Sequence, residues 1–240
     1  MDLADAFGPG RVVSVVGAGG KKSTLYALAA AFERAVVTAT VRIPFFDDQV
    51  SALRVTETPE DALEDPENWP LGLVPGRDGS RSRYLGYDTD IVDRLAAATD
   101  APILIKADGA RTRLFKAPND EEPQVPSSTD TLVPVASVRA VGKPLDSEHV
   151  HRPERVAALT GRSVGERIEP GDLVTVLSHG EGGLKRLPEG ARAVPLINMV
   201  DDGGLEATAR PIAETLLEEP RIDRVVLSRM DRGRVVDVIR

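Results

Sequence analysis

The stretch that most limits what this chain can fold into is Arg11-Val12-Val13-Ser14-Val15-Val16-Gly17-Ala18-Gly19-Gly20-Lys21-Lys22-Ser23-Thr24. A short apolar run bounded by glycine reads as a buried strand, and Leu25 to about Arg34 reads as a helix. Between them, glycines permit a tight turn in which backbone N–H groups converge without Cβ clashes. The helix turns its unpaired N-terminal N–H groups and positive dipole end towards the same point. Two lysines and two hydroxyls complete the order. That order suits phosphate: a lysine reaches the terminal phosphates and a Ser or Thr hydroxyl ligates Mg²⁺. The binding candidates are Gly17, Ala18, Gly19, Gly20, Lys21, Lys22, Ser23 and Thr24, with Ser23 and Thr24 as metal ligands.

The spacing is a variant of the P-loop, which places one glycine six residues before the lysine and another directly before it. With Lys21 as the phosphate lysine, Gly20 fits, but Val15 stands at the first glycine and Lys22 at the hydroxyl. With Lys22 in that role, Ser23 follows correctly, but Val16 and Lys21 occupy the glycine positions. Both registers stay open.

Ala35–Ala39 reads as the next strand, which makes a βαβ unit with parallel pairing and a right-handed crossover. Ligands of such sheets collect at the carboxyl ends of strands, where Thr38, Thr40 and Arg42 emerge. From 45 to 87 the pattern degrades. Pro59, Pro66, Pro70 and Pro75 interrupt it, and Asp61, Glu64, Asp65 and Glu67 read as exposed. Short strands are expected at Ala52–Val55, Gly72–Val74 and Arg83–Leu85, with Trp69 as a packing anchor, so this is an irregular β-rich insertion after the second strand. A helix follows from Asp88 to Ala98.

Ile103-Leu104-Ile105-Lys106-Ala107-Asp108-Gly109 then sets an acid at a strand end, the place of a carboxylate that holds Mg²⁺ opposite a loop hydroxyl. The charged, proline-punctuated run 111–126 reads as a loop over the ligand mouth rather than core, with Arg111 and Lys116 as cations for transferred charge. Further strands are expected at Thr131–Val138, Ala191–Ile197, Ile222–Leu227 and Val235–Ile239. Helices are expected at Pro153–Leu159, Pro170–Leu177 and Leu205–Leu217. His149 and His151 precede Pro153 in a loop-to-helix junction, which argues against a shared metal. Asn198-Met199-Val200-Asp201 is similar to the guanine-reading Asn-Lys-x-Asp of GTPases, with methionine for lysine. There, Asp201 would accept from the guanine ring N–H and amine.

The alternation of strands and helices predicts an α/β fold, a mostly parallel sheet flanked by helices, P-loop NTPase-like, in one domain spanning 1–240. The absence of cysteine excludes disulfides and thiol catalysis, and no apolar run is long enough to span a membrane. With no basic, apolar leader at the start, a cytoplasmic protein is expected. A net charge of −8 argues against a broad nucleic-acid footprint. Lysine is scarce against arginine, and most lysines fall in these motifs.

Taken in order, Val16 to Lys21, Thr38 to Pro44, Ala107-Asp108-Gly109-Ala110-Arg111, Leu114 to Pro118, Glu122-Pro123, Val125-Pro126, Leu159-Thr160-Gly161 and Asn198 to Asp201 resemble the YqeC proteins. The resemblance covers nearly the whole chain outside the 45–87 insertion. It implies a nucleotide-binding accessory factor for maturation of selenium-dependent molybdenum hydroxylases, so a molybdenum hydroxylase or its cofactor is an implied partner. Lys22 stands where a threonine is expected after Lys21, and Met199 where a lysine is expected. The readings carried forward are an Mg²⁺-dependent ATPase or GTPase, a small-molecule kinase, and a nucleotide-binding module that docks on a client without turnover.

Overall fold

The computed structural model describes residues 3–8, 10–64 and 68–240. Pro66 and the acidic pair Asp65 and Glu67 lie outside the described residues. After a short helix α1 (Leu3–Ala6) come β1 (Val12–Gly17), α2 (Lys21–Ala31) and β2 (Val36–Ala39). The insertion carries β3 (Ile43–Pro44), β4 (Ala52–Val55), β5 (Leu71–Val74), β6 (Arg77–Asp78) and β7 (Arg83–Tyr84). Then follow α3 (Thr89–Ala98), β8 (Ile103–Lys106), β9 (Phe115–Lys116), β10 (Thr131–Ser137) and β11 (Val150–His151). The last part holds α4 (Pro153–Thr160), α5 (Pro170–Ser178), β12 (Arg192–Ala193), β13 (Leu196–Asn198), α6 (Gly203–Leu216), β14 (Val225–Arg229) and β15 (Arg234–Ile239).

The main sheet runs β15-β14-β13-β10-β1-β8-β2-β5-β4, parallel except for the antiparallel β14–β15 pair. The α/β expectation with a mostly parallel sheet therefore holds. From β1 the chain builds one flank through β2 and β8, then crosses to build the other from β10 onwards. The order reverses at β1, and such a switch point opens a crevice at the carboxyl ends of the strands.

Side chains of β1 alternate between two apolar cores, as the period of a strand requires. Val13 and Val15 pack with α1 and α2, through Leu25, Leu28 and Ala29. Val12 and Val16 pack on the opposite face with Val92 and Leu95 of α3. Helices α4, α5 and α6 cover the β10–β14 half, burying Val156, Leu173 and Ile212 against Ala136, Ile197 and Leu227. Pro195 falls between β12 and β13, so the strand expected over Ala191–Ile197 is two pieces.

The insertion divides. β4 and β5 extend the main sheet in parallel, whereas β3, β7 and β6 make a separate antiparallel sheet. Phe46 and Tyr84 anchor that small sheet on the α2 core, edge to face at 5.7 Å.

The run 111–126 departs from the sequence expectation. Phe115, Lys116 and Ala117 are buried, and β9 pairs in parallel with β11. Proline and charge suggested a solvated loop; Phe115 instead enters the α4–α5 core and Lys116 finds acidic partners there.

Candidate functional site

The glycine turn is pressed against its neighbours. Gly19 has a φ of 90°, and a Cβ there would lie 2.5 Å from Ser137 N and 2.7 Å from Leu114 O. Gly20 has a φ of 133°, and its Cβ would lie 2.0 Å from Asn198 Nδ2. No L side chain fits either position. Three of the turn's N–H groups point into the protein rather than to a cradle: Gly17 donates to Asp108 Oδ2 at 2.9 Å, Ala18 to Val135 O at 2.9 Å and Gly19 to Arg113 O at 2.9 Å. Anion-facing backbone donors are left to the first turn of α2, where Lys21, Lys22 and Ser23 have no intrahelical acceptor.

Below the turn lies a buried chain of charges. Asp108, 1 % exposed, follows β8 and sits between two ammonium groups: Lys21 Nζ is 2.8 Å from Oδ1 and Lys116 Nζ 2.8 Å from Oδ2. Lys21 Nζ also donates to Gly17 O. Lys116 donates on to Gly109 O at 2.6 Å and Glu122 Oε2 at 2.8 Å. Arg152 reaches the same Glu122 oxygen at 2.7 Å, while Glu122 Oε1 accepts from Gly109 N at 3.1 Å. Burial works against ionisation of Asp108, but Lys116 and Lys21 outweigh it and hold the carboxyl at about 2. For Lys21 burial wins, and its ammonium is lowered although Asp108 opposes the shift.

Above this chain opens a cleft of about 690 Å³ at the carboxyl ends of β1, β2, β8 and β13. Nine arginines and lysines line it against two acids, Glu121 and Glu122, in a protein of net charge −8. Lys21, Lys22 and Ser23 come from α2, and Arg42 from the end of β2. Arg81 and Arg83 come from the small sheet, Lys106 from β8, Arg111 and Arg113 from the following segment, and Arg152 from the start of α4. Burial and Lys21 bring the Lys106 ammonium down to about 7. His151 also lines the wall, lowered to about 4 by burial and Arg152, so it is neutral at pH 7.

Gly19, Gly20, Lys21, Lys22, Ser23 and Arg111 thus share one cleft wall. Gly17, Ala18, Thr24, Asp108 and Lys116 lie behind it. Thr24 is fully buried and its hydroxyl donates to Gly20 O at 3.1 Å, so it is turned into its own helix. Thr38 and Thr40 donate to Leu73 O and Gln124 O, so of the three polar residues expected at that strand end Arg42 alone lines the wall.

The Asn198–Asp201 tetrapeptide does not assemble as a base reader. Asn198 is buried, donates to Gly19 O at 2.8 Å, and accepts from Ser228 Oγ at 3.1 Å and Met230 N at 3.0 Å. Asp201 is ion-paired with Arg139 and Arg229. Of the four residues only Met199 lines the cleft.

A protein-held Mg²⁺ does not fit this donor set. Both Asp108 oxygens face ammonium groups, its carboxylate is off the cleft wall, and of the two candidate hydroxyls only Ser23 is on it. The sequence signal missed Glu122, Arg152, Arg81 and Arg83 as parts of the site, because they come from segments far from the glycine turn.

Fold and site together define an α/β protein, consistent with a P-loop-like architecture, whose sheet edge carries a cationic cleft. A family model described as "YqeC protein" matches residues 13–154. The protein described as "Uncharacterized protein YqeC" from Escherichia coli (strain K12) is 32% identical over 195 residues, covering 78% of this chain and 75% of that one. The chain belongs to the YqeC family. No solved structure matches it significantly. Among the described residues, no helix is long and apolar enough to cross a membrane.

Proposed function

We propose that the cleft binds a nucleoside triphosphate through its phosphates, and that this binding serves an accessory role in maturing a molybdenum hydroxylase. The nucleotide reading is carried by one observation: nine cations converge on a cleft that also receives the first turn of α2. Cationic side chains and free helix N–H groups together make an anion site. Lys22 and Arg111, which have no carboxylate partner among the described residues, bind the phosphates directly. Lys21 joins them by leaving Asp108, and Lys116 then remains as counter-ion to that carboxylate. Mg²⁺ enters as the nucleotide's own counter-ion and not on Asp108, so EDTA weakens binding without abolishing it.

The test is calorimetric titration of ATP and GTP into the wild type and Lys22→Ala, with phosphate release measured in parallel. Lys22→Ala weakens both nucleotides about tenfold, the scale of one charge-assisted contact. ATP and GTP bind alike, because Asn198 and Asp201 are committed elsewhere. Failure of both nucleotides to bind at millimolar concentration overturns the reading. Phosphate release separates an NTPase from a docking module.

A further inference from the structure

The cleft carries more positive charge than a triphosphate chain alone needs, and the surplus comes from a separate part of the protein. Lys21, Lys22, Arg111, Arg113 and Arg152 belong to α2 and to the segments that pack on it through the Asp108–Glu122 chain. Arg81 and Arg83 belong to the insertion, where β6 and β7 pair beside β3. Neither has a carboxylate partner among the described residues, whereas their neighbour Arg42 is held by Asp78 at 2.8 Å.

A pair of arginines exposed to water needs no ligand. Lys106 is different. It is 6 % exposed, lines the same wall, and its one acceptor among the described residues is Arg42 O at 2.9 Å. That bond places the ammonium where β2 enters the insertion. An ammonium carries three donors, so two are left in a group withdrawn from bulk water. Buried donors without acceptors are costly, and an oxyanion at this place would satisfy them.

We propose that Arg81, Arg83 and Lys106 form a second anion subsite in this cleft, for a small co-substrate bearing a carboxylate or phosphate monoester. The guanidinium fork matches the two oxygens of either group. The subsite stands on the insertion's own residues; that its neighbour is a nucleotide rests on the function proposed above.

Inorganic pyrophosphate is the probe, titrated calorimetrically into the whole chain. The wild type takes two equivalents. Arg81→Ala/Arg83→Ala, two surface changes that leave the melting temperature unchanged, weakens one of them tenfold or more and spares the other. Lys22→Ala/Arg111→Ala does the converse. With a saturating non-hydrolysable ATP analogue, the wild type still binds one pyrophosphate and the Arg81/Arg83 variant binds none. Replacing pyrophosphate with inorganic phosphate or with acetate in that last titration distinguishes the two oxyanion classes. A single pyrophosphate site lost equally through either pair overturns the proposal, as does an Arg81/Arg83 variant that titrates like the wild type. Two pyrophosphate sites in a protein that ignores nucleotides would sink the nucleotide reading and leave the subsite standing.

Discussion

Asp108 shows how one side chain can look like a metal ligand and be something else. Its place after an apolar strand was legible, because Ile103-Leu104-Ile105 leading through Lys106 and Ala107 to an acid and a glycine is a local pattern. Its partners were not, since Lys116 is brought in by the β9–β11 pairing and Lys21 folds back over the turn. Removing one partner of a buried ionic group leaves the others uncompensated, at a cost of about 3–5 kcal/mol. Asp108→Asn therefore lowers unfolding free energy in urea at pH 7 by that amount. A variant as stable as the wild type would show that the two lysines do not depend on it. The sign with pH follows from the depressed carboxyl, 3.8 ordinarily and about 2 here. The contribution is fully present above about 3.8 and is lost as pH falls through about 2, so the gap between wild type and variant narrows over that acid window.

At the scale of elements, the β1–turn–α2 unit was readable because strand, glycines and helix are consecutive. Helix α2 begins at Lys21, one turn earlier than the apolar pattern suggested, since Gly20 is the last residue with non-helical backbone. What fixes the turn comes from afar: Asn198, at the end of β13, ties Gly19 O to Met230 N and Ser228. A strand-end asparagine carries no local sign of that role, which is why a base reader was the natural expectation. Asn198→Ala strands the buried Gly19 carbonyl, the Met230 N–H and the Ser228 hydroxyl and lowers stability by roughly 3 kcal/mol or more, at about 1–3 per stranded group. Gly20→Ala damages the same joint from the other side, through its φ of 133° and its collision with Asn198. Thermal melts of both variants check this, and a Gly20→Ala protein with wild-type stability would contradict the packing described.

For the whole molecule, the contrast between an acidic exterior and a cationic cleft was only half visible. Net charge could be read from the sequence, but its separation depends on an insertion and three loops meeting at one sheet edge. A field of that kind draws anions into the cleft and is screened by salt. Raising NaCl from about 0.1 M to about 1 M shortens the Debye length from about 10 Å to about 3 Å and lowers triphosphate affinity roughly tenfold or more. Calorimetry at the two salt concentrations measures it. Affinity indifferent to salt would mean that the cleft's charges do not act together.

The three most deeply buried cations of this arrangement, Lys21, Lys106 and Lys116, are all lysines in a chain that has only six. A planar guanidinium needs more room than a compact ammonium set among several acceptors. The consequence is a built-in reporter for amine-selective acylation. Lys143 is exposed and serves as the internal reference, and Lys22 reads access to the cleft. Lys116, buried off the cleft wall between Asp108 and Glu122, stays silent until the charge chain beneath the turn comes apart, so a mass spectrum of the labelled chain distinguishes a covered cleft from an opened core.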